Sequence, residues 1–261
     1  MKFTQIRSAT VIVEFGGKRF LIDPMLAAKD SYPGFPFSVN SHLFWPRVDL
    51  PVPATDLLDV DAIILTHFHP DHWDDAATQI VPKDKLIFTQ GERDSAILAS
   101  FGFTNLRILT AATEFEGVTL KKTQGRHGDE KLFDGPFAEA IGDVCGVVFS
   151  HPDEKTLYLA GDTIWYEGVQ ENLDTHQPDV IILNSCDARM IEPTLGETSI
   201  IMGKDDVYKV CKAAPSATIV ASHMDVVNHA CLGRAELKAF LDETGLAGQV
   251  RIPADGETLR F

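Results

Sequence analysis

Positive charge is scarce in this chain. Its 261 residues hold 23 Lys and Arg against 38 Asp and Glu, a formal net charge of −15. That balance repels a phosphodiester backbone unless a local site reverses the sign, so a general nucleic-acid binder is disfavoured. Long apolar runs are also missing. No stretch approaches the ~18 residues of a membrane span, and Lys2, Gln5, Arg7 and Ser8 interrupt the first ten residues, so no secretory signal is visible. Cysteine is sparse: Cys145, Cys186, Cys211 and Cys231 are far apart and form no CxxC pair. This argues against a Cys-rich zinc ribbon or a disulfide framework and fits free thiols in a reducing compartment. The expectation is a cytoplasmic protein with neither a membrane nor a nucleic-acid partner, acting on a small molecule.

Repeats, low-complexity tracts and charged tails are absent as well, and the simplest organisation is one domain over 1–261. What is present is a series of short apolar runs. Gln5–Phe15 and Lys18–Asp23 flank Gly16-Gly17, a hairpin signal. Strand patterns recur at Asp61–Thr66, Lys85–Thr89, Leu106–Leu109, Gly117–Thr123, Val144–Ser150, Thr156–Ala160, Val180–Leu183 and Thr218–Ser222. Helical spacing marks Glu92–Phe101, Asp205–Ala213 and Gly233–Thr244. Hairpins mixed with single helices suit an α/β (α+β) fold of two packed sheets with helices outside. Between Lys29 and Pro53 the composition turns to proline and aromatics, with Tyr32, Phe35, Phe37, Asn40, His42, Phe44 and Trp45. A loop of that length is functional or packed, and this one suits an apolar wall or lid over a site, or packing on the sandwich or a neighbouring subunit.

The chemistry is concentrated in His67-Phe-His69-Pro-Asp71-His72, which follows the apolar run Ala62–Leu65. Four potential metal ligands occupy six positions. At i and i+2 of an extended segment, His67 and His69 share one side and grip one ion, while Pro70 bends the chain and turns Asp71 and His72 towards a second. Imidazole and carboxylate without thiolate suit zinc, manganese, iron or nickel. Four ligands cannot close two coordination shells. His127, Asp162 and His223 each end a strand-like run and are the candidates to complete them.

In order and type these motifs resemble the metallo-β-lactamase superfamily of binuclear metal hydrolases: a Thr-His-x-His-x-Asp-His block, a later His, a Gly-Asp at a strand end and a final His. The resemblance spans about Phe3 to Asn228 and implies a four-layer αβ/βα sandwich. It also implies two divalent ions, zinc first among the candidates. His67, His69 and His127 would hold the first ion, Asp71, His72 and His223 the second, with Asp162 bridging and a metal-bridging hydroxide as nucleophile. Departures at Gln124-Gly-Arg-His127-Gly and at Trp73-Asp-Asp turn the likeness away from glyoxalase II and the quorum-quenching lactonases. It is closer to the branch holding ascorbate-6-phosphate lactonase and the phospholipase-D-type N-acylethanolamine-forming hydrolases.

With that ligand set, two divalent ions, five neutral imidazoles and two aspartates leave a local charge of +4 − 2 = +2 that attracts anions. The expected function is therefore metal-dependent hydrolysis of a small anionic ester, lactone or phosphoester. Asp71 or Asp162 would steer the proton, and His229, before the last helix, would protonate the leaving group. Asn184 and Asp225 are candidate supporting or substrate contacts, and Cys186 reads as packing. His42, His151 and His176 read as surface residues, although His42 rides on the aromatic loop. The alternatives are a phosphodiesterase or nuclease, for which no basic arm is visible, and a non-hydrolytic di-metal redox or regulatory protein. A homo-oligomer is compatible with the aromatic loop.

Overall fold

A computed structural model describes residues 1–134 and 137–261. The first half of the chain supplies β1 (Lys2–Arg7), β2 (Thr10–Phe15), β3 (Lys18–Ile22), β4 (Ala62–Leu65), α1 (Asp75–Ile80), β5 (Ile87–Thr89), α2 (Glu92–Ser100) and β6 (Leu106–Ile108). The second supplies β7 (Thr113–Phe115), β8 (Val118–Gln124), α3 (Ala138–Ile141), β9 (Cys145–Ser150), β10 (Leu157–Leu159), α4 (Glu167–His176) and β11 (Val180–Asn184). It continues through β12 (Arg189–Glu192), β13 (Gly196–Ser199), α5 (Lys204–Ala213), β14 (Thr218–Ser222), α6 (Arg234–Thr244), β15 (Val250–Arg251) and β16 (Thr258–Arg260).

Two seven-stranded sheets result, ordered β16-β1-β2-β3-β4-β5-β6 and β15-β14-β11-β10-β9-β8-β7. Each joins an antiparallel part to a parallel part, β3 to β6 in one and β10, β11, β14 and β15 in the other. Successive side chains of a strand point to opposite faces, so strands apolar on both faces must be covered on both. In β3, Phe20 and Ile22 enter the core between the sheets while Leu21 faces outward. In β11, Val180 and Ile182 enter it while Ile181 and Leu183 face outward. The outer face of one sheet packs Ala77 of α1 and Leu98 of α2. That of the other packs Val169 of α4, Val207 of α5 and Leu237 of α6. Three apolar cores thus separate four layers, the αβ/βα sandwich the motifs imply. Among the described residues no helix is long and apolar enough to cross a membrane.

The expected elements are present with ends moved by a few residues, with one exception. Gln5–Phe15, read as a single strand, is β1 and β2 joined by a turn at Ser8, whose φ of 55° is left-handed. Neither Gly nor Pro marks that turn. Its carbonyl instead accepts from the Gln5 side chain (2.8 Å), from Ser222 Oγ (3.1 Å) and from the His223 backbone N–H (3.1 Å), so partners more than 200 residues away hold it. The Gly16-Gly17 hairpin is as expected, with φ of 58° and 75°, values that favour glycine. Helices α1 and α4 and the β12–β13 hairpin lack a strong apolar period and were not expected. In α4 only Val169 and Leu173 are buried.

The sheets are welded by aromatics. Phe149 of β9 packs edge-on against Phe20 at 5.5 Å and tilted against Phe15 at 5.7 Å, both across the inter-sheet core. Phe149→Ala should therefore cost about 3–5 kcal/mol. Ile191→Ala, at a residue 48% exposed, should stay within ~0.5 kcal/mol. Denaturant titration checks both, and similar losses would contradict this layering.

Candidate metal centre

Every donor singled out in the sequence stands just beyond the C-terminal end of a strand. His67 to His72 follow β4, His127 follows β8, Asp162 follows β10 and His223 follows β14. Parallel strands turn these ends the same way, so the loops converge at one rim of the sandwich. Donor atoms of His67, His69 and His127 lie within 4.8 Å of one another, as do those of His67, His72 and Asp162 and those of Asp71, His72 and His223. The structure therefore brings all seven side chains together. Asp162 Oδ2 sits 3.1 Å from His72 Nε2, 3.8 Å from His223 Nε2 and 4.0 Å from His67 Nε2, a position between the two trios. His223 Nε2 is 3.4 Å from Asp71 Oδ2.

Backbone geometry aims these groups. Gly161 has a φ of 70°, and a Cβ there would meet the Cys145 carbonyl oxygen at 2.4 Å, so only glycine delivers Asp162 at this point. His223 itself has a φ of 63°, uncommon for a side-chain-bearing residue, and its N–H is tied to Ser8.

The outward nitrogen of each imidazole is engaged. His72 Nδ1 donates to Asp23 Oδ2 (2.8 Å), His127 Nδ1 to the Ile200 carbonyl (2.9 Å) and His69 Nε2 to the Ala140 carbonyl (2.8 Å). His223 Nδ1 meets Ser8 Oγ at 3.1 Å, and His67 Nδ1 meets Thr66 Oγ1 at 3.1 Å, whose own proton goes to Asp23 Oδ2 (2.8 Å). The nitrogens left over are those that face the centre: Nε2 of His67, His72, His127 and His223, and Nδ1 of His69. A histidine held by its far N–H and offering the other lone pair is prepared to bind a cation. His67 Nε2 and His69 Nδ1 face each other at 2.9 Å, an approach of lone pairs that a shared cation makes favourable. The donor set thus fits divalent metal ions of the kind bound by nitrogen and oxygen.

Two residues the sequence did not single out support this arrangement. Asp23, after β3, also accepts the Thr66 backbone N–H (2.8 Å), so one carboxylate holds both ends of the His67–His72 segment. Ser8 does the same for His223. No local spacing connects either to the motif. Asn184, weighed as a supporting or substrate contact, donates to Asp162 Oδ1 (2.7 Å) and leaves Oδ2 to the centre. Asp225 does not belong to the site: it is exposed, and its carboxylate accepts from Arg234 at the start of α6. His42 is exposed and away from the cavity, and Cys186 is buried with Sγ 3.6 Å from His223 Nδ1.

Charge divides the cluster in two. Burial, reinforced by His72 and His69, pushes His67 well below the usual histidine range. Burial likewise lowers His69, and lowers His127 to about 4 despite the field of Asp162. On the other side burial opposes the charge of His72, but Asp162, Asp23 and Asp71 outweigh it and raise the imidazole to about 10, so without a cation Nε2 holds a proton against Asp162 that a bound cation would displace to free the lone pair. His223 is raised for the same reason, chiefly by Asp162. Although burial works against them, the carboxyls of Asp71 and Asp162 stay below their ordinary range because His72 and His223 face them.

Against the cluster lies a cavity of about 410 Å³. His69, Asp71, His127 and Asp162 form its polar end, and Phe35, Phe37, Phe137, Ile141, Met190 and Ile200 most of the rest. Among the described residues no Lys or Arg lines it. His229 does, buried, with Nδ1 lacking a hydrogen-bond partner and its ring edge-on to Phe35 at 4.8 Å. Burial lowers His229 to about 4. From the aromatic loop, Phe35 and Phe37 reach the cavity, Trp45 stacks behind Phe35 at 4.8 Å with Tyr32 behind Trp45, and Phe44 is exposed.

Comparison with known proteins agrees with this geometry. A family model described as the beta-lactamase superfamily domain matches residues 18–224. The UPF0173 protein YddR of Bacillus subtilis is 47% identical over the whole length of both chains, and a UPF0173 metal-dependent hydrolase of Bacillus cereus is 27% identical over 85% of each. Among solved structures, an isothiocyanate hydrolase from Delia radicum gut bacteria superposes with a TM-score of 0.96 at 49% identity, covering 100% of this chain and 99% of that one. A possible metal-dependent hydrolase from Veillonella parvula gives 0.96 at 41% identity, covering 99% and 98%. These names lend no support to the narrower likeness to ascorbate-6-phosphate lactonase.

Removing Asp23 leaves three donors without their acceptor. Asp23→Ala should keep native circular dichroism while weakening metal affinity roughly 10–100-fold. Competition with a chromogenic chelator measures this, and an unchanged affinity would contradict the orienting role.

Proposed function

This chain belongs to the metallo-β-lactamase superfamily of metal-dependent hydrolases, and from that premise we propose that it binds two divalent cations and hydrolyses small, uncharged isothiocyanates. The observation that carries this reading is the union of a seven-donor cluster with an apolar cavity free of Lys and Arg among the described residues. An anionic ester, lactone or phosphoester, the class suggested by the local charge of the ions, would need cationic or hydrogen-bonding groups around its body. The wall offers aromatic and aliphatic carbon instead. An apolar body carrying one electrophilic carbon suits it, and the isothiocyanate hydrolase that shares 49% of its residues supplies the reactive group.

His67, His69 and His127 would hold one cation and Asp71, His72 and His223 the other, with Asp162 shared. Zinc is the first candidate for an imidazole–carboxylate set of this kind, with manganese, iron and nickel next. When bound, such ions supply a water acidified towards neutral pH and an electrophile for the substrate's heteroatom.

The chain's own residues perform the remaining tasks. Overall, R–N=C=S and H₂O give R–NH₂ and O=C=S: water oxygen bonds to the central carbon, the carbon–nitrogen bond breaks and both water protons finish on nitrogen. Asp71 lines the cavity, so a carboxylate oxygen not spent on the cation would be placed to take the first proton. Asp162 is less available, with one oxygen held by Asn184 and the other among the histidines. His229 is neutral at physiological pH, since burial has lowered it to about 4. It therefore acts as a hydrogen-bond donor to the nitrogen that gains electron density, while the two protons that nitrogen acquires come from the one taken by Asp71 and the one left on the attacking oxygen. The apolar wall keeps bulk water from the reacting carbon.

The test is incubation of metal-loaded protein with allyl and phenethyl isothiocyanate, following amine and carbonyl sulfide release. Turnover should vanish on chelation and in His69→Ala, return on adding metal to the wild type, and be absent with bis-p-nitrophenyl phosphate. Turnover of the phosphodiester, with isothiocyanates untouched, would overturn the substrate assignment.

A further inference from the structure

The reactive group accounts for the donor end of the cavity, and its apolar lining includes a strained, clamped aromatic. Phe37 is 63% exposed although it lies at the mouth of an apolar cavity, and its φ of 54° is a conformation that a bulky L-residue rarely adopts. Its carbonyl accepts from Ile191 N–H (2.7 Å), and Ser38 bridges to Met190. On the other side Asn228, buried and outside the metal cluster, uses its whole amide on the same segment. Oδ1 accepts from Phe35 N–H (3.1 Å), and Nδ2 donates to Ser38 Oγ (3.0 Å) and to the Val39 carbonyl (3.1 Å). Phe35 is thereby fixed as a wall, stacked on Trp45, while Phe37 is turned across the opening to meet Phe137 edge-to-face at 5.5 Å and 64°. Backbone strain that persists because its surroundings over-determine it points to function at the strained residue.

We propose that Phe37 and Phe137 form an aromatic clamp that selects substrates with a flat, uncharged aryl-alkyl substituent, and that Asn228 is the positioning residue that holds the clamp over the metal end. A phenyl ring placed against the pair extends their edge-to-face contact, and Met190 and Ile200 complete its apolar surroundings. A short alkyl substituent reaches none of this. The proposal rests on the isothiocyanate reading for the reactive group, but not for the preference in the substituent.

The experiment compares Phe37→Ala and Asn228→Ala with the wild type, all metal-loaded, on phenethyl and allyl isothiocyanate. In both variants the phenethyl-to-allyl ratio of kcat/KM should fall roughly tenfold, the size of one lost aromatic contact, and mainly through the phenethyl KM. Equal losses on both substrates, or a wild type without aryl preference, would overturn the clamp. Calorimetric titration with N-phenethylurea and N-allylurea, which do not react, separates the two readings. If the wild type binds the phenethyl urea selectively and Phe37→Ala does not, the clamp stands even where no isothiocyanate is hydrolysed and the reaction assignment falls. If isothiocyanates turn over but neither urea is preferred, the reaction assignment stands and the clamp falls.

Discussion

Five imidazoles can surround a common point only if each is held by its far nitrogen, and this constraint organises the rim of the sandwich. In water the rings would rotate and titrate independently. Here Asp23, Ser8, Thr66 and the carbonyls of Ala140 and Ile200 each take up an outward nitrogen and leave an inward lone pair. Those acceptors come from both halves of the chain, so the centre assembles only when the two sheets meet. The stability of the aromatic interface between them and the geometry of the donors are therefore one problem. Ser8 shows the coupling most directly: a turn in one sheet keeps its left-handed backbone by hydrogen bonds to the strand end of the other, and orients His223 in return.

The same rim joins two environments of opposite character. The donor cluster is as polar as a protein interior allows, and its carboxylates stay ionised because His72 and His223 stand against them. A few ångströms away the wall is carbon. The apolar substrate proposed above would gain by leaving water along that wall before meeting the polar groups at the reacting end. The acidity of the chain as a whole, at −15, would have little bearing on the neutral substrate proposed above.

Much of this was legible in the residue order. The block His67 to His72 carries its own chemistry, and His127, Asp162 and His223 reveal themselves because each terminates an apolar strand, so the seven donors and the layered fold could be read before any coordinates. The supporting residues could not. Asp23 is one acidic residue after a strand among 38 acidic residues, and Ser8 sits in an apolar run with nothing to mark a turn. Their roles arise from partners distant in sequence, which periodicity does not encode. Asp225 misled for the converse reason: two residues from His223 along the chain, it turns outward to Arg234. The aromatic loop was identifiable by composition, but which of its rings reaches the cavity depends on Asn228, nearly 200 residues later.

Anomalous diffraction from crystals grown with zinc, recorded on both sides of the zinc edge, tests the central claim most directly. Two peaks should appear, one ringed by His67, His69 and His127 and the other by Asp71, His72 and His223, with the Asp162 carboxylate between them. A single peak, or zinc held elsewhere with the seven donors empty, would contradict it.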